Sequence, residues 1–399
     1  MIKLSQRALA LKPSATLAID AKAKALMAQG IDIINLSAGE PDFDTPSPIK
    51  EACIKALNEG YTKYVATLGL LSLREAICKK IKEDYGLDYK PEEVIVSSGA
   101  KQAIFNLLLA LVDRADEVLV ISPYWVSYPE MILCAEGIPK IIPTDFSKKF
   151  EPDLSLLEKN ITPKTKGIIL NSPSNPTGLI YSTEFLKGLA ELVRKYNLWV
   201  ISDDIYDKLR FDLKKPENIL SVAPDLKDRV MLVNGVSKTY AMTGWRIGWA
   251  MGPKEVISAC AKIQGQSTSH ATSFAQKGAE AALKLPDDEV YKMTATFAKR
   301  ASLLCELLKE SPGIEFIPPQ GAFYLFAKVS SYYGKKTKDN SIIKNSIDFA
   351  NYLLEEAKVA VVPGVAFGND EFIRISYATS ENKIEEACIR IKRALKELY

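Results

Sequence analysis

Lys238 and Arg246 share a stretch, VNGVSKTYAMTGWRIGWAMGP (residues 233–253), that is rich in Gly, Ser and Thr and contains no acid. Small residues let a backbone approach a bound group closely, and two cations with no balancing carboxylate suit an anion. A lysine amine in such a place can also act as a nucleophile or move a proton. Two further groups carry chemistry at a distance: Asn175 in NSPSNPTG and Asp203 in SDDIY. Asn175 and Asp203 are 28 residues apart, and Asp203 and Lys238 are 35 apart. Both spacings lie near one strand–helix–strand period of roughly 30 residues, so the three groups can reach one crevice. Singly, each has an ordinary reading: Lys238 and Arg246 as solvated surface charges, Asp203 and Asp204 as a helix cap, and Asn175–Gly178 as a turn.

The elements that would position them are legible in the hydrophobic pattern. Short Val/Ile-rich runs occur at Val94–Val96, Val118–Ile121, Gly167–Leu170, Leu198–Ile201 and Val230–Val233. Amphipathic stretches such as AIFNLLLALVDRA and TEFLKGLAELVRKYN lie between many of them. Unbroken apolar strands alternating with helices predict an α/β fold with a mostly parallel, helix-covered sheet. Ligands of such sheets bind outside the carboxyl ends of the strands, where the polar residues of this chain follow. Beyond about residue 290 a long helical pattern, Tyr291–Glu310, leads into GAFYLFAK, FIRISYA and a last amphipathic helix, Asn382–Leu398. This predicts a large domain over 46–290, and a smaller α+β domain built from 1–45 and 291–399.

Composition narrows the chemistry. The chain has 399 residues, 47% hydrophobic and 25% charged, with a net charge of +3. Those values suit a globular protein of about two domains and give no electrostatic case for nucleic acid. No run approaches the length of a membrane span, and the first residues lack the pattern of a signal peptide. Six scattered cysteines without a CxxC fit reduced thiols in a cytoplasm. No metal site is expected: the single histidine, His270, excludes a His-rich one. His270 sits in a polar loop and is expected to be incidental, which leaves proton transfer to a lysine, carboxylate or tyrosine.

Taken together, SKTYAMTGWR around Lys238, NSPSNPTG around Asn175, SDDIY around Asp203 and RISYA from Arg374 resemble the fold-type I aminotransferases that use pyridoxal phosphate. The resemblance runs from KPSAT near residue 12 to the final helix, and is nearest to the bacterial-type aspartate aminotransferase and glutamate/aspartate–prephenate aminotransferase subgroup. It implies a role for each matching residue. Lys238 is the amine that holds the aldehyde cofactor and relays the proton, and Asp203 keeps the pyridine nitrogen protonated. Tyr206 and Asn175 are the partners of the ring's phenolic oxygen, and Trp125 stacks on the ring, with a core tryptophan as its other reading. Gly99, Ala100, Lys101 and Arg246 take the phosphate at a helix N-terminus. Some members carry a serine three residues before the lysine; Gly235 stands there in this chain, leaving Ser237 as the nearby hydroxyl. Tyr64 matches a tyrosine that reaches the neighbouring subunit's phosphate, so a homodimer is implied.

For substrate, the resemblance implies that Arg374 grips the α-carboxylate, beside the backbone of Gly39. Lys101 with Ser14 and Thr16 takes the distal carboxylate, and Lys12 bears on prephenate. A lysine in the first turn of a helix opposes the helix dipole, which favours an anion near Lys101; a surface lysine is the alternative. The expected activity is transamination of aspartate with 2-oxoglutarate, extending to prephenate. A pyridoxal-phosphate β-lyase, or an aminotransferase for aromatic amino acids or alanine, shares nearly every cofactor residue. A ligand-sensing regulator is disfavoured because the resemblance leaves no space for a DNA-binding domain ahead of it. A dinucleotide enzyme is disfavoured by the lack of GxGxxG after the first strand.

Overall fold

The computed structural model describes residues 2–12 and 15–399. Its first eight strands are β1 (Ile34–Asn35), β2 (Val94–Ser97), β3 (Glu117–Ile121), β4 (Ile138–Ile142), β5 (Thr165–Asn171), β6 (Trp199–Asp203), β7 (Val230–Gly235) and β8 (Gly248–Met251). β2 to β8 form one seven-stranded sheet in the order β2-β8-β7-β6-β5-β3-β4. The sheet is parallel except for β8, which runs against both of its neighbours. β7 and β8 are joined without an α-helix, and parallel crossovers usually need one, so the connection favours an antiparallel return.

Alternation along the strands sorts side chains to the two faces. Ile95, Val118, Val120, Ile169, Ile201, Met231 and Val233 pack with Ala103, Ile104 and Leu107 of the helix Ala100–Leu111 and with Ile257 of the helix Lys254–Gly265. Val94, Val96, Leu119, Ile168, Leu170, Val200 and Leu232 pack on the other face, against helices that include Leu71–Tyr85 and Thr183–Tyr196. Each such Val, Leu or Ile stabilises the fold by about 1.5–3 kcal/mol, which is why these strands read as unbroken apolar runs. The helix Thr183–Tyr196 is defined locally as well. The Ser182 hydroxyl accepts from the Phe185 N–H at 3.0 Å, Arg194 and Lys195 occupy the last turn, and Asn197 ends it in the left-handed conformation.

The remaining strands are β9 (Glu315–Phe316), β10 (Tyr324–Lys328), β11 (Val359–Ala360), β12 (Val362–Pro363) and β13 (Phe372–Ser376). β12-β13-β10-β9 form an antiparallel sheet that packs on the helices Asp288–Lys309 and Glu381–Leu395. β1 pairs in parallel with β11, which ties the N-terminal segment to the C-terminal part of the chain. All six cysteines are unpaired. Among the described residues, no helix is long and apolar enough to cross a membrane.

Candidate active site

Five strands of the large sheet deliver the candidate residues at one edge. Gly99 and Ala100 follow β2, Trp125 follows β3, Asn175 follows β5, Asp203 closes β6, and Lys238 comes three residues after β7. Arg246 lies just ahead of β8, whose first residue, Gly248, is opposite both Ser97 and Gly235. Residues distant in sequence are therefore neighbours because their strands are.

The β2 end forms an anion cradle. Gly99 has φ +86°, a conformation that favours glycine, and a Cβ there would lie 2.5 Å from Arg246 Nη2. Ala100 and Lys101 open the helix Ala100–Leu111, whose first N–H groups have no partner within the helix. Arg246 spans the cradle, donating to the Thr243 carbonyl at 2.9 Å and to the Ser98 carbonyl at 3.2 Å. Both partners are neutral, so the guanidinium charge is left for an anion. Ser237 is buried beside Lys238.

The Lys238 amine donates to the Gly39 carbonyl and lies 5.9 Å from the Tyr206 ring centre and 5.7 Å from that of Phe323. Burial pushes its pKa down to about 8; Arg374 and Arg246 push the same way, against Glu40 and Asp203. Asp203 is 4% exposed. Its Oδ2 accepts from the Tyr128 hydroxyl at 2.6 Å, while Oδ1 is buried with no hydrogen-bond partner. Burial raises the carboxyl to about 6, opposed by the Tyr128 and Ile205 donors and by Lys238. A carboxylate held this way, with one oxygen unanswered, calls for a cationic donor.

Arg374 is 2% exposed and donates to Asn175 Oδ1 at 2.9 Å and to the Ser37 carbonyl at 2.8 Å. Its Nε has no partner, and burial lowers its pKa. Asn175 is held in turn by Asn171, whose Oδ1 accepts the Asn175 N–H and whose amide donates to the Asp203 carbonyl, both at 2.9 Å. Lys101 lies 4.9 Å over the Trp125 ring, and that ring meets Tyr128 edge-on at 5.3 Å. Burial, with Arg246 nearby, lowers the Lys101 pKa.

The structure thus brings together Lys238, Asp203, Tyr206, Asn175, Trp125, Lys101, Gly99, Ala100, Arg246, Arg374 and Gly39. Tyr64 lies elsewhere, 90% exposed and edge-on to His270 at 5.7 Å. The Lys12 side chain is exposed, and its N–H donates to Glu130 at 3.0 Å. Ser14 and the Thr16 side chain lie outside the described residues.

The family model described as "Aminotransferase class I and II" matches residues 31–391. The chain belongs to that family. It is 49% identical to the "Probable aspartate/prephenate aminotransferase" of Rickettsia felis, over 98% of this chain and 96% of the relative. Among solved structures it superimposes on the aspartate aminotransferase from Rhizobium meliloti with a TM-score of 0.96 at 42% identity, covering both chains fully. The aspartate aminotransferase from Thermus thermophilus with maleate gives 0.92 at 42% identity, over 99% of this chain and 100% of the other.

Several residues of this aminotransferase site have no role that their local sequence assigns. Tyr128 supports Asp203 and stands three residues after Trp125, in the first turn of the helix Ser127–Cys134. Asn171 is the last residue of β5 and organises Asn175. Tyr324 bonds Tyr206, hydroxyl to hydroxyl at 2.9 Å, but its setting in the apolar run GAFYLFAK reads as core. His270 serves the loop around it, where Nε2 accepts the Val65 N–H at 3.4 Å and Nδ1 lies 2.8 Å from the Ala271 carbonyl.

Proposed function

We propose that this chain is a pyridoxal-phosphate-dependent aspartate aminotransferase that converts aspartate and 2-oxoglutarate to oxaloacetate and glutamate, and that it also transaminates prephenate to arogenate. One observation carries the reading: the partly neutral amine of Lys238 shares a cleft with Asp203, whose buried Oδ1 lacks a partner. The residues fit the cofactor at both ends. Gly99, Ala100, Lys101, Ser237 and Arg246 would hold the phosphate, and a side chain at Gly99 would collide with Arg246. Tyr206 and Asn175 would take the phenolic oxygen, and Trp125 would cover the ring. When bound, the cofactor supplies an aldehyde to carry the amino group and a pyridine ring to accept the electron pair released at Cα.

In this reading Asp203 holds a proton at the ring nitrogen, and Tyr128 keeps that carboxyl ionised. Lys238 would first hold the cofactor and, once the substrate amine displaces it, its free amine would take the proton from the amino acid Cα and deliver it to the cofactor carbon that had carried the aldehyde. Arg374 receives the α-carboxylate beside Gly39, with Asn175 already fixing the plane of its guanidinium. Lys101, with Ser14 and Thr16, would receive the distal carboxylate, and Lys12 the extra charge of prephenate. The names of the relatives, aspartate/prephenate and aspartate aminotransferase, support that assignment.

A homodimer belongs to the same proposal, with Tyr64 reaching the partner's phosphate. Its support is the exposure of Tyr64 together with exposed Ile54, Leu57 and Leu71 on nearby helices. Residues 46–290 would form the cofactor domain, with 1–45 and 291–399 as the smaller one. Unpaired cysteines support a cytoplasmic setting.

The test is a half-reaction panel on the cofactor-loaded protein, following the cofactor's visible absorbance with aspartate, glutamate, arogenate, alanine and phenylalanine. Fast conversion by the two acidic amino acids and arogenate, abolished in Lys238→Ala, is the expected result. Conversion by aspartate and glutamate alone would remove the prephenate activity. No conversion by either acid would sink the substrate assignment.

A further inference from the structure

Tyr324 is fully buried on β10, opposite Ser376 of β13, so that it stands diagonally across the same sheet face from Arg374. The Arg374 guanidinium lies 4.4 Å over its ring. Its hydroxyl is 2.9 Å from the hydroxyl of Tyr206, which is itself buried, and the two rings meet at 84°. The Gly39 backbone passes over that hydroxyl, since a Cβ on Gly39 would come within 3.7 Å of it. One side chain of the four-stranded sheet therefore touches the groups assigned above to the cofactor oxygen, the substrate carboxylate and the lysine's carbonyl partner.

We propose that Tyr324 is a positioning residue for this reaction: its hydroxyl orients Tyr206 toward the cofactor's ring oxygen while its ring holds the Arg374 guanidinium in plane for the substrate carboxylate. The inference rests on the functional reading above. Proton bookkeeping sets the direction. A phenol has one proton to donate, so if Tyr206 gives its proton to the cofactor oxygen, the bond between the tyrosines survives only with Tyr324 as donor. Tyr206 then receives one hydrogen bond while giving another, and a chain of that kind strengthens each member. The charged groups facing this pair are Lys238, Asp203, Arg374 and Glu40. The guanidinium contact works independently of the hydroxyl, because cation–π attraction needs only the ring face.

Two substitutions in the holoenzyme separate the two roles: Tyr324→Phe removes the hydroxyl and keeps the ring, while Tyr324→Leu removes both. The readouts are the spectrophotometric pKa of the bound cofactor and the dissociation constant of maleate, an unreactive dicarboxylate. Tyr324→Phe should raise the cofactor pKa by about half a unit, because Tyr206 becomes a weaker donor to the ring oxygen. Maleate binding should stay within about twofold of wild type in that variant, since the cation–π contact is intact. Tyr324→Leu should show the same rise and weaken maleate by about fivefold. In a Tyr206→Phe background, Tyr324→Phe should add no further shift. An unchanged cofactor pKa in Tyr324→Phe, additive shifts in the double variant, or wild-type maleate affinity in Tyr324→Leu would each overturn the proposal. A wild-type protein that forms no cofactor chromophore would instead sink the functional reading on which it rests.

Discussion

Lys238→Met should make the cofactor-free protein more stable while abolishing its activity. The lysine pKa falls from 10.5 to about 8, chiefly through burial. At about 1.4 kcal/mol per unit, the folded state holds the charged amine roughly 3 kcal/mol less favourably than the unfolded chain. The amine keeps some access to water through the cleft and donates to the Gly39 carbonyl, so a net gain of about 1–3 kcal/mol is expected from an apolar side chain of similar length. The sign follows from linkage. Below about pH 8 the lysine is charged in both states and its full cost is present. Between about 8 and 10.5 the unfolded chain binds the extra proton, so wild-type stability rises with pH relative to the variant. The gain should therefore be largest near pH 7 and close by about pH 10.5. Urea unfolding of both cofactor-free proteins, at matched concentration across that range, reads it directly. Other alkaline titrations affect both proteins alike and cancel in the difference. A variant less stable than wild type at pH 7, or a difference that does not change with pH, would refute the account of why the amine is reactive.

Asp203→Asn should slow the half-reaction on the order of a thousandfold, the scale of losing a preorganised charge at the reacting group, in single-turnover measurements. Tyr128→Phe removes a donor that lowers the Asp203 pKa, so the carboxyl should rise above its value of about 6. The acid limb of the activity–pH profile should then move up by about one unit. Arg374→Lys gives up a planar fork already aligned by Asn175, and KM for aspartate should rise roughly 10–100-fold with the cofactor spectrum unchanged. Lys101→Met should cut kcat/KM for aspartate by roughly tenfold or more while leaving that for alanine near wild type, because only aspartate has a distal carboxylate.

Much of the scaffold was legible because burial on both sheet faces imposes continuous apolar runs. The segments expected at Val94–Val96, Val118–Ile121, Gly167–Leu170, Leu198–Ile201 and Val230–Val233 are all strands of the large sheet. The antiparallel course of β8 was not legible, since Ile247–Met251 is as apolar as its neighbours and direction depends on the connection. At the site, backbone-dictated features were visible: Gly99 in a cradle that excludes a side chain, and a polar residue at each strand end. Residues that act through another residue were hidden. Tyr128, Asn171 and Tyr324 are ordinary in their local sequence and acquire meaning only from partners 75, 4 and 118 positions away. His270, expected from its polar loop to be incidental, contacts backbone groups of that loop region, the Val65 N–H and the Ala271 carbonyl, besides the edge-on Tyr64 ring.

The same features explain why an anionic cofactor and anionic substrates suit this cleft. Lys101, Lys238, Arg246 and Arg374 all border it, although the net charge of the whole chain is only +3. Their partners are the rings of Trp125, Tyr206, Phe323, Tyr324 and Phe367, the Gly39, Thr243, Ser98 and Ser37 carbonyls, and the Asn175 amide. Every one of these partners is neutral. The cations also act on one another: Arg246 adds to burial in lowering Lys101, and Arg374 and Arg246 add to burial in lowering Lys238, against Glu40 and Asp203. Neutral dipoles hold such groups in place without cancelling their charge. A phosphate at the β2 end and a carboxylate at Arg374 would each relieve that mutual repulsion. Burial, with a smaller contribution from the same repulsion, keeps part of the Lys238 amine neutral near pH 7. In the proposed reading charge placement serves binding and reactivity together, and a substitution that pairs Arg246 or Arg374 with a carboxylate should weaken both at once.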